Sequence, residues 1–594
     1  MDKDNTRNTI IFFVCAFALV ALYQVFVMGP MAKRQQAQQA QAKAAAVQQA
    51  ASPKPNTPTF VARTQALSAS PRVPIDTPSV KGSISLRGAR LDDLFLKGYR
   101  ETVAKDSPPV ELFRPEGAQN AYFADFGWIG TTPTAGAAWT APPGATLTPA
   151  TPVTLTYDNG QGQVFTRTFA VDDKFMFTVT DGVTNKGTGP LQIAPYSSVQ
   201  RWGAPTPMVG IFEGAIGSQT NGPREQRSDL NLISYKDMKD KGGRLGETHG
   251  GWVGLTDKYW LSALIPPQGE IFKTSYRITS VGPVDVYESN YVGSELRTLA
   301  PGQSTTETRR MFAGAKRAQL LDTYQKDLGL THFIDAIDWG RLWFLTRPIF
   351  WLLSNFMALT GSVGISIMLL TIVRVILTFP LYNKSFASAA EMRKLQPELE
   401  AIKARYKDDP AKVQQATMEL YKERKVNFLA GCVPALVPIP IFFALSKVFT
   451  VSLELRHASF LGVPDLSAPD PSTFVNLFGL IPWNVATTPL IGSVLAGPLH
   501  IGLIAILYGL TQWLLQAMSP QTAGIDPVQK QIFMFMPLVI TFFMAQVATG
   551  LLIYWVWSTL LTVVQQYVIM HRHKTENPID TFIARIRGGQ PARA

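Results

Sequence analysis

The sequence predicts a multi-domain membrane protein: a polytopic α-helical bundle of six spans, five of them forming a core, joined to a large antiparallel β-sandwich. Three observations predict it. Apolar residues concentrate in 10–28 and in the stretch from 339 to 570, whereas the region between has the composition of a soluble domain. That middle region alternates apolar and polar residues at the period of a strand. The net charge of +12 comes with Lys and Arg gathered beside particular apolar runs, as in a protein that obeys the positive-inside bias.

At 594 residues the chain is too long for one ordinary domain. Its mean hydropathy of +0.07 hides the uneven spread of apolar residues, and that spread sets the class. No zinc-finger, RNA-recognition or helix-turn-helix pattern accompanies the basic balance, so a membrane explains it most simply. The two cysteines, Cys15 and Cys432, sit in or beside apolar runs. They exclude a disulfide framework in the middle region, and neither is expected to be a catalytic cysteine.

Residues 1–9 form a short N-terminus with Lys3 and Arg7, followed by an uncharged 19-residue run at 10–28, long enough to span hydrocarbon. A cleavable signal peptide is the rival reading. No small-x-small site directly follows Met28, which favours an uncleaved anchor and a cytoplasmic N-terminus. Residues 29–60 are a linker: eight Ala and seven Gln fall in 31–50, with Pro53, Pro55 and Pro58 beyond, and no apolar stripe to bury. Residues 61–330 are the β-sandwich. The runs 151–157, 164–171, 175–180 and 274–286 alternate as strands, and Asp158-Asn159-Gly160, Asp172-Asp173 and Asn185-Lys186-Gly187 read as turns. Residues 315–330 read as a helix leading back to the membrane.

Trp339, Trp343 and Trp351 with Arg341 and Arg347 suit the headgroup layer, so 339–358 is expected to be an interfacial helix, with Pro348 arguing for a break. Five spans follow at about 361–381, 429–448, 499–516, 532–548 and 550–570. The last two nearly touch in sequence and are expected to form a hairpin. Pro434, Pro438 and Pro440 crowd the third span and are expected to distort it. The segment 384–425 carries ten Lys/Arg against seven Asp/Glu, and the tail 571–594 carries Arg572, Lys574, Arg585, Arg587 and Arg593. The loop 451–498 has Arg456 alone. The charge rule places 384–425 and the tail in the cytoplasm, and the β-domain across the membrane, in the periplasm of a Gram-negative cell.

Arg374 is the most informative residue. It lies inside the 361–381 span, seven residues before Leu381, or roughly 10 Å by helical rise. An arginine at the centre of a span costs roughly 2.5–3.5 kcal/mol on insertion scales. One reading is an arginine snorkelling to the cytoplasm; the other is a charge facing a water-filled groove. Thr371, Arg374 and Thr378 share one helical face, and other spans supply Gln512, Gln516, Gln546, Gln565 and Gln566. The second to sixth spans contain neither Asp nor Glu, so no intramembrane carboxylate is on offer as a partner. This favours the groove.

A second signal lies in the cytoplasmic segment 384–427. Met392, Leu395, Leu399, Ile402 and Tyr406 step by three and four, a coiled-coil stripe, while Asp409-Pro410 reads as an N-cap followed by the first helical position. Val413, Ala416 and Leu420 make a second stripe. An antiparallel helical hairpin follows, with Pro397 expected to kink its first helix. The alternative is a plain connector between spans.

The segments Lys394-Leu395-Gln396-Pro397, Asn427 through Gly431-Cys432, Pro438-Ile439-Pro440-Ile441-Phe442 and Val451-Ser452-Leu453-Glu454-Leu455-Arg456 resemble the YidC membrane protein insertases. So do Met518-Ser519-Pro520, Asp526-Pro527, Phe535-Met536-Pro537 and Gly550-Leu551 with Gln565-Gln566. The resemblance covers the whole chain and is most specific across 339–570. It implies a core of five spans (361–570) around a hydrophilic groove open to the cytoplasm and the inner leaflet, in the bacterial inner membrane. It implies that Arg374 is the groove arginine, and that a client's apolar span slides along the third and fifth spans. It further implies partners: nascent membrane-protein clients, lipids, the Sec translocon, and the ribosome through the basic tail. No cofactor, catalytic residue or metal is implied. One departure is Trp555 after Tyr554, where the family pattern has a second tyrosine; the indole keeps an N–H donor but loses the hydroxyl.

Two rival classes fit parts of the pattern. A proton-coupled transporter needs a titratable carboxylate in the membrane, and the spans hold none. A sugar-active enzyme on the β-sandwich is the other, but residues 60–330 hold only His249, which excludes a paired-histidine site. The chain also has no Walker A motif, so no nucleotide drives the process.

Overall fold

The structure is a computed structural model. It describes residues 60–130, 136–206, 208, 210–220, 228–406, 409–424, 438–481, 500–518, 527–572, 579–580, 583 and 586. The expected N-terminal anchor, the linker, Cys432, Pro434 and most of the basic tail lie outside these residues. The chain divides into two compact units, Pro53–Asp338 on the one hand and Met1–Ser52 with Trp339–Ala594 on the other.

The first unit is β-rich, with three short helices: α1 (Arg63–Ser68), α2 (Tyr235–Lys241) and α3 (Ala318–Asp327). Its strands form a ten-stranded and an eight-stranded antiparallel sheet. The expected strands stand where the alternation placed them, at Val153–Asp158, Gln163–Val171 and Met176–Asn185. The expected strand 274–286 is the middle of a longer hairpin, Ile271–Val281 with Val284–Gly293, closed by a turn at Gly282, where the backbone is left-handed. The expected helix 315–330 is α3.

Alternation carries the core. In Gln163–Val171, Phe165, Arg167, Phe169 and Val171 are buried and the residues between are half-exposed. Burying each phenyl ring contributes about 2 kcal/mol. Arg167 is a charge at an inward position, and it is matched. Its Nε lies 2.5 Å from Asp181 Oδ1, and Arg309 Nη2 lies 2.9 Å from Asp181 Oδ2. Arg167 also donates to the carbonyls of Ala89 and Phe126, and Arg309 to that of Tyr196. All three side chains are almost fully buried, so the inner faces are held by the Arg167–Asp181 charge-assisted hydrogen bond, the Arg309–Asp181 ion pair and the arginine-to-carbonyl bonds.

The second unit is helical. Its elements are α4 (Trp343–Thr360), α5 (Val363–Lys394), α6 (Gln396–Arg405), α7 (Pro410–Glu423), α8 (Pro438–Val451), α9 (Leu503–Met518), α10 (Pro527–Met544) and α11 (Thr549–Arg572). Helix α4 takes the place of the expected interfacial helix, closed by Gly361 in the left-handed conformation. Pro348 does not break it but sits inside it, at its sixth residue, where the lost amide costs one helical bond.

Among the described residues two helices are long and apolar enough to cross a membrane: Val363–Lys384, with mean hydropathy 2.1, and Thr549–His571, with 1.3. Ile439–Val451, Leu503–Ala517 and Phe535–Met544 are shorter apolar helices at the positions of the other three expected core spans. The described part of α8 starts at Pro438, so the expected distortion of this span by Pro434, Pro438 and Pro440 lies at or beyond the edge of the described residues.

Helix α11 packs on α5, α8 and α9, and α4 packs on α5 and α8. The expected hairpin of the last two spans takes a different form. Only Ala545–Ala548 separate α10 from α11, yet each packs along α9 rather than along the other. Gly509 explains the α9–α10 approach: a β-carbon there would stand 2.4 Å from Thr541 Oγ1, so only glycine lets the helices come this close.

Pro397 also differs from expectation. Instead of kinking one helix, it stands in the first turn of α6, after the chain breaks at Leu395. Helix α5 therefore carries the span and the root of the hairpin as one 32-residue helix. Asp409 caps α7 as read, accepting from the Lys412 amide at 3.1 Å. Helices α6 and α7 pack together with Leu395 and Leu420 buried and Leu399, Ile402 and Val413 half-buried. Arg424 pairs with Glu398 at 2.9 Å across them. The side chain of Met392 lies outside the described residues.

Candidate functional site

Arg374 stands eleven residues into α5, roughly 16 Å from its start, about half the thickness of a hydrocarbon core. Its side chain is half-buried and turned toward α11. Nη1 donates to Ser558 Oγ at 3.0 Å, and Nη2 donates to Tyr382 Oη at 3.3 Å. The guanidinium also lies 5.9 Å from the Tyr382 ring centroid, a cation–π contact. Nε has no acceptor. The charge is thus held by two neutral hydroxyls, which orient it without neutralising it.

Ser558 sits nine residues into α11, roughly 14 Å from that helix's start, so the two partners meet at matching depth. The polar face of α11 includes Ser558, Thr562 and Gln565, at helical spacing and all buried. On the next residue, Thr559 Oγ1 accepts from Gln512 Nε2 at 3.2 Å. One short stretch of α11 is therefore tied to α5 on one side and to α9 on the other.

The remaining expected residues divide. Thr371 and Thr378 are buried on the same face of α5 as Arg374, but their hydroxyls return to their own helix, Thr371 to the Ile367 carbonyl at 2.7 Å and Thr378 to the Arg374 carbonyl at 3.0 Å. Gln516 is half-exposed on α9, one turn beyond Gln512. Gln565 is buried on α11, with its Nε2 lacking an acceptor. Gln546 stands apart from the others. It is exposed in the turn between α10 and α11 and approaches the His500 carbonyl at 3.4 Å, at the opposite end of α11 from its basic terminus.

Trp555 is half-buried in an aromatic cluster. Its ring lies 5.6 Å from Phe442 of α8, 6.1 Å from Tyr508 of α9 and 6.0 Å from Tyr554. It packs three helices together, and its indole nitrogen has no hydrogen-bond partner among the described residues. Sequence reading missed Ser558 and Tyr382. The i, i+4, i+7 spacing of Ser558, Thr562 and Gln565 was the available signal for the first, and the eight-residue step from Arg374, a little over two turns, for the second.

Among the described residues of the β-domain, one cavity is lined by Trp128, Trp139, Arg167, Asp181 and Tyr196, and its volume of ≈ 20 Å³ has room for about one water molecule. Among the described residues no group of three or more His, Cys, Asp or Glu is placed to hold a metal.

Helices long and apolar enough to cross a membrane, joined to a large antiparallel β-domain, are the build of a membrane protein that carries a domain outside the bilayer. The family described as the YidC periplasmic domain matches residues 72–352, and that described as the 60Kd inner membrane protein matches residues 355–576. The chain is 48% identical over 628 residues to the membrane protein insertase YidC of Caulobacter sp. (strain K31), covering 99% of both chains. It is 42% identical over 629 residues to that of Methylobacterium radiotolerans, covering 100% of this chain and 99% of the relative. Among solved structures, an active YidC insertase with its first transmembrane domain resolved shares 17% identity at a TM-score of 0.35, over 84% of this chain and 92% of that one. A galactose mutarotase related enzyme from Lactobacillus acidophilus shares 13% at 0.29, over 41% of this chain and 97% of that one.

This chain belongs to the YidC family of membrane protein insertases. It is an inner-membrane insertase and chaperone with a periplasmic domain, not an enzyme, and its clients are other membrane proteins.

Proposed function

We propose that the five spans 361–381, 429–448, 499–516, 532–548 and 550–570 enclose a hydrophilic groove centred on Arg374, and that client segments pass through it. With the anchor 10–28 the chain has six spans. The hairpin 384–427 and the tail 571–594 are cytoplasmic, 29–60 is a linker, 61–330 is the periplasmic β-domain and 339–358 lies at the interface. The single observation that carries this reading is the company Arg374 keeps: two hydroxyls at 3.0 and 3.3 Å, an unpartnered Nε and no carboxylate among its described partners. A guanidinium at mid-bilayer depth held only by neutral groups needs water or a guest anion to offset its desolvation.

Such a groove lowers the cost of moving a polar segment partway through the bilayer, while the drive comes from the client's own apolar span entering lipid. The polar face of α11 and the glutamines Gln512, Gln516 and Gln565 offer the client hydrogen bonds as it loses water. The client's apolar span slides along the third and fifth spans, α8 and α10, which expose Phe443, Leu538 and Phe543, while Trp555 lines the groove. The α6–α7 hairpin receives clients, the basic tail meets the ribosome, and the chain works alone or beside the Sec translocon; these roles rest on the family resemblance and on the excess of basic residues in the tail.

The test is Arg374→Glu in reconstituted membranes with two matched clients, one with an acidic and one with a neutral translocated tail. The acidic client is expected to lose much more insertion than the neutral one. Equal losses on both would remove the electrostatic role of the groove.

A further inference from the structure

Between α8 and α9 the chain passes through an irregular segment, Phe474–Gly479, continued by Leu480 and Ile481. Phe474, Leu477, Phe478, Leu480 and Ile481 are all exposed, Leu480 at 83%. Exposed clusters of large apolar side chains on this scale mark an interaction surface. The backbone around them is closed on itself. The amide of Phe474 donates to the Ile501 carbonyl at 3.1 Å, that of Phe478 to Thr473 at 2.8 Å, that of Leu480 to Leu477 at 3.2 Å and that of Ile481 to Asn476 at 3.1 Å. Leu477 and Phe478 hold φ of 52° and 57°, a left-handed conformation that large apolar residues rarely adopt. The segment turns apolar side chains outward with a strained backbone while the amides of Phe474, Phe478, Leu480 and Ile481 are hydrogen-bonded, the direction that lipid favours for backbone outside a helix.

Its place in the bundle is fixed by Asp470. The buried carboxylate accepts from the Ser472 amide at 2.9 Å and from the Ile504 amide in the first turn of α9 at 3.0 Å. The same loop is tied to the first turn of α11, where the amides of Thr549 and Gly550 donate to Ala468 and Leu466 at 2.8 and 2.9 Å. The segment therefore stands at the starts of α9 and α11, at the opposite end of α11 from Arg572. Helix α9 itself exposes Leu503, Leu507, Leu510 and Trp513, a stripe along one face that suits acyl chains, and the segment extends that apolar surface past the helix end. From Pro471 through Leu499 the sequence has no Asp, Glu, Lys or Arg.

We propose that residues 474–481 are a lipid anchor, inserted among the acyl chains of the periplasmic leaflet beside α9. The occupant is lipid because the surface continues the exposed stripe of a span and carries no charge with which to select a soluble partner. An anchor here holds the outer ends of α9 and α11 at a set depth while the other end of the bundle admits clients. The inference rests on the span assignment proposed above.

The test uses the full chain with Cys15→Ser and Cys432→Ser, reconstituted in phosphatidylethanolamine–phosphatidylglycerol vesicles and spin-labelled at Leu480→Cys or, separately, at Leu510→Cys on the α9 stripe. Collision rates with oxygen, which partitions into lipid, are compared with those of a water-soluble nickel chelate. The label at 480 is expected to resemble that at 510, with oxygen collisions dominant. If 510 is lipid-exposed while 480 collides mainly with the chelate, the anchor is wrong and the spans stand. If 510 also meets the chelate, the span assignment fails and the anchor with it. If 480 is shielded from both reagents, another protein surface covers it and the anchor is again wrong. Leu477→Cys repeats the measurement should Leu480→Cys fold poorly, with the same outcomes deciding.

Discussion

The guanidinium of Arg374 on α5 donates to the hydroxyl of Ser558 on α11 across 3.0 Å, and the two residues lie at similar depths from the starts of their helices. The bond joins a charge to a neutral acceptor, so it aims the side chain and leaves its field intact. Ser558→Ala removes an acceptor of a charged donor, a bond worth roughly 1.5–3 kcal/mol. Insertion of a client with an acidic tail is expected to fall less than in Arg374→Ala, because Tyr382 still holds one arm of the fork and the charge remains. A loss as large as that of Arg374→Ala, measured by protease protection of the client, would mean that Ser558 acts on clients directly.

Arg374→Lys separates charge from fork geometry. An ammonium keeps the positive charge but lacks the planar pair of nitrogens that reach Ser558 and Tyr382 together. It is expected to retain more insertion of the acidic-tailed client than Arg374→Ala, and less than the native chain. Equal activity of the Lys and Ala variants would show that the fork alone matters.

In the β-domain, Asp181 lies between Arg167 and Arg309, all three nearly inaccessible. Asp181→Ala leaves two buried cations without their carboxylate, and unfolding in urea is expected to show a loss of roughly 3–5 kcal/mol. A change within experimental error would mean that water reaches the pair.

Asp409 offers a pH prediction. Its carboxyl is held below the usual carboxylate range, chiefly by the Lys412 amide and then by the Lys412 side chain. A lowered folded-state value stabilises α7 at pH above the ordinary Asp range, and this contribution is lost as pH falls through the folded value. Hydrogen exchange of the first-turn amides of α7 is expected to quicken, relative to Asp409→Asn, only as that low range is entered. Parallel pH dependence in both proteins would remove the carboxylate from the cap.

Deleting most of 60–310 is expected to leave much insertion activity in reconstituted membranes, because Arg374 and its partners all belong to the helical unit. Complete loss would show that the β-domain is part of the insertion machinery.

How much was legible follows from which physics set each feature. Alternation marks strands, so Gln163–Val171 was readable, but strand pairing is a long-range choice, and the sequence does not say that Arg167 would meet Asp181 and Arg309 between two sheets. Local chemistry at Asp409-Pro410 set a helix start as read. Pro348 and Pro397 misled because proline has two tolerated outcomes, a lost bond inside a helix or a place in its first turn, and packing picks between them. Arg374 stood out because charge is costly in an apolar run, whereas Ser558 did not, since a serine is unremarked in any helix. Gln546 was grouped with the groove by polarity alone, and its place in a turn was set by where α10 ends.

The central claim is that position 374 is reached by water from the cytoplasm. In the background of Cys15→Ser and Cys432→Ser, Arg374→Cys can be treated with a membrane-impermeant maleimide from either face of oriented vesicles, with Leu510→Cys as the lipid-facing reference. Rapid modification from the cytoplasmic face and little from the periplasmic face is the predicted result. A thiol at 374 as unreactive from both faces as that at 510 would contradict the account.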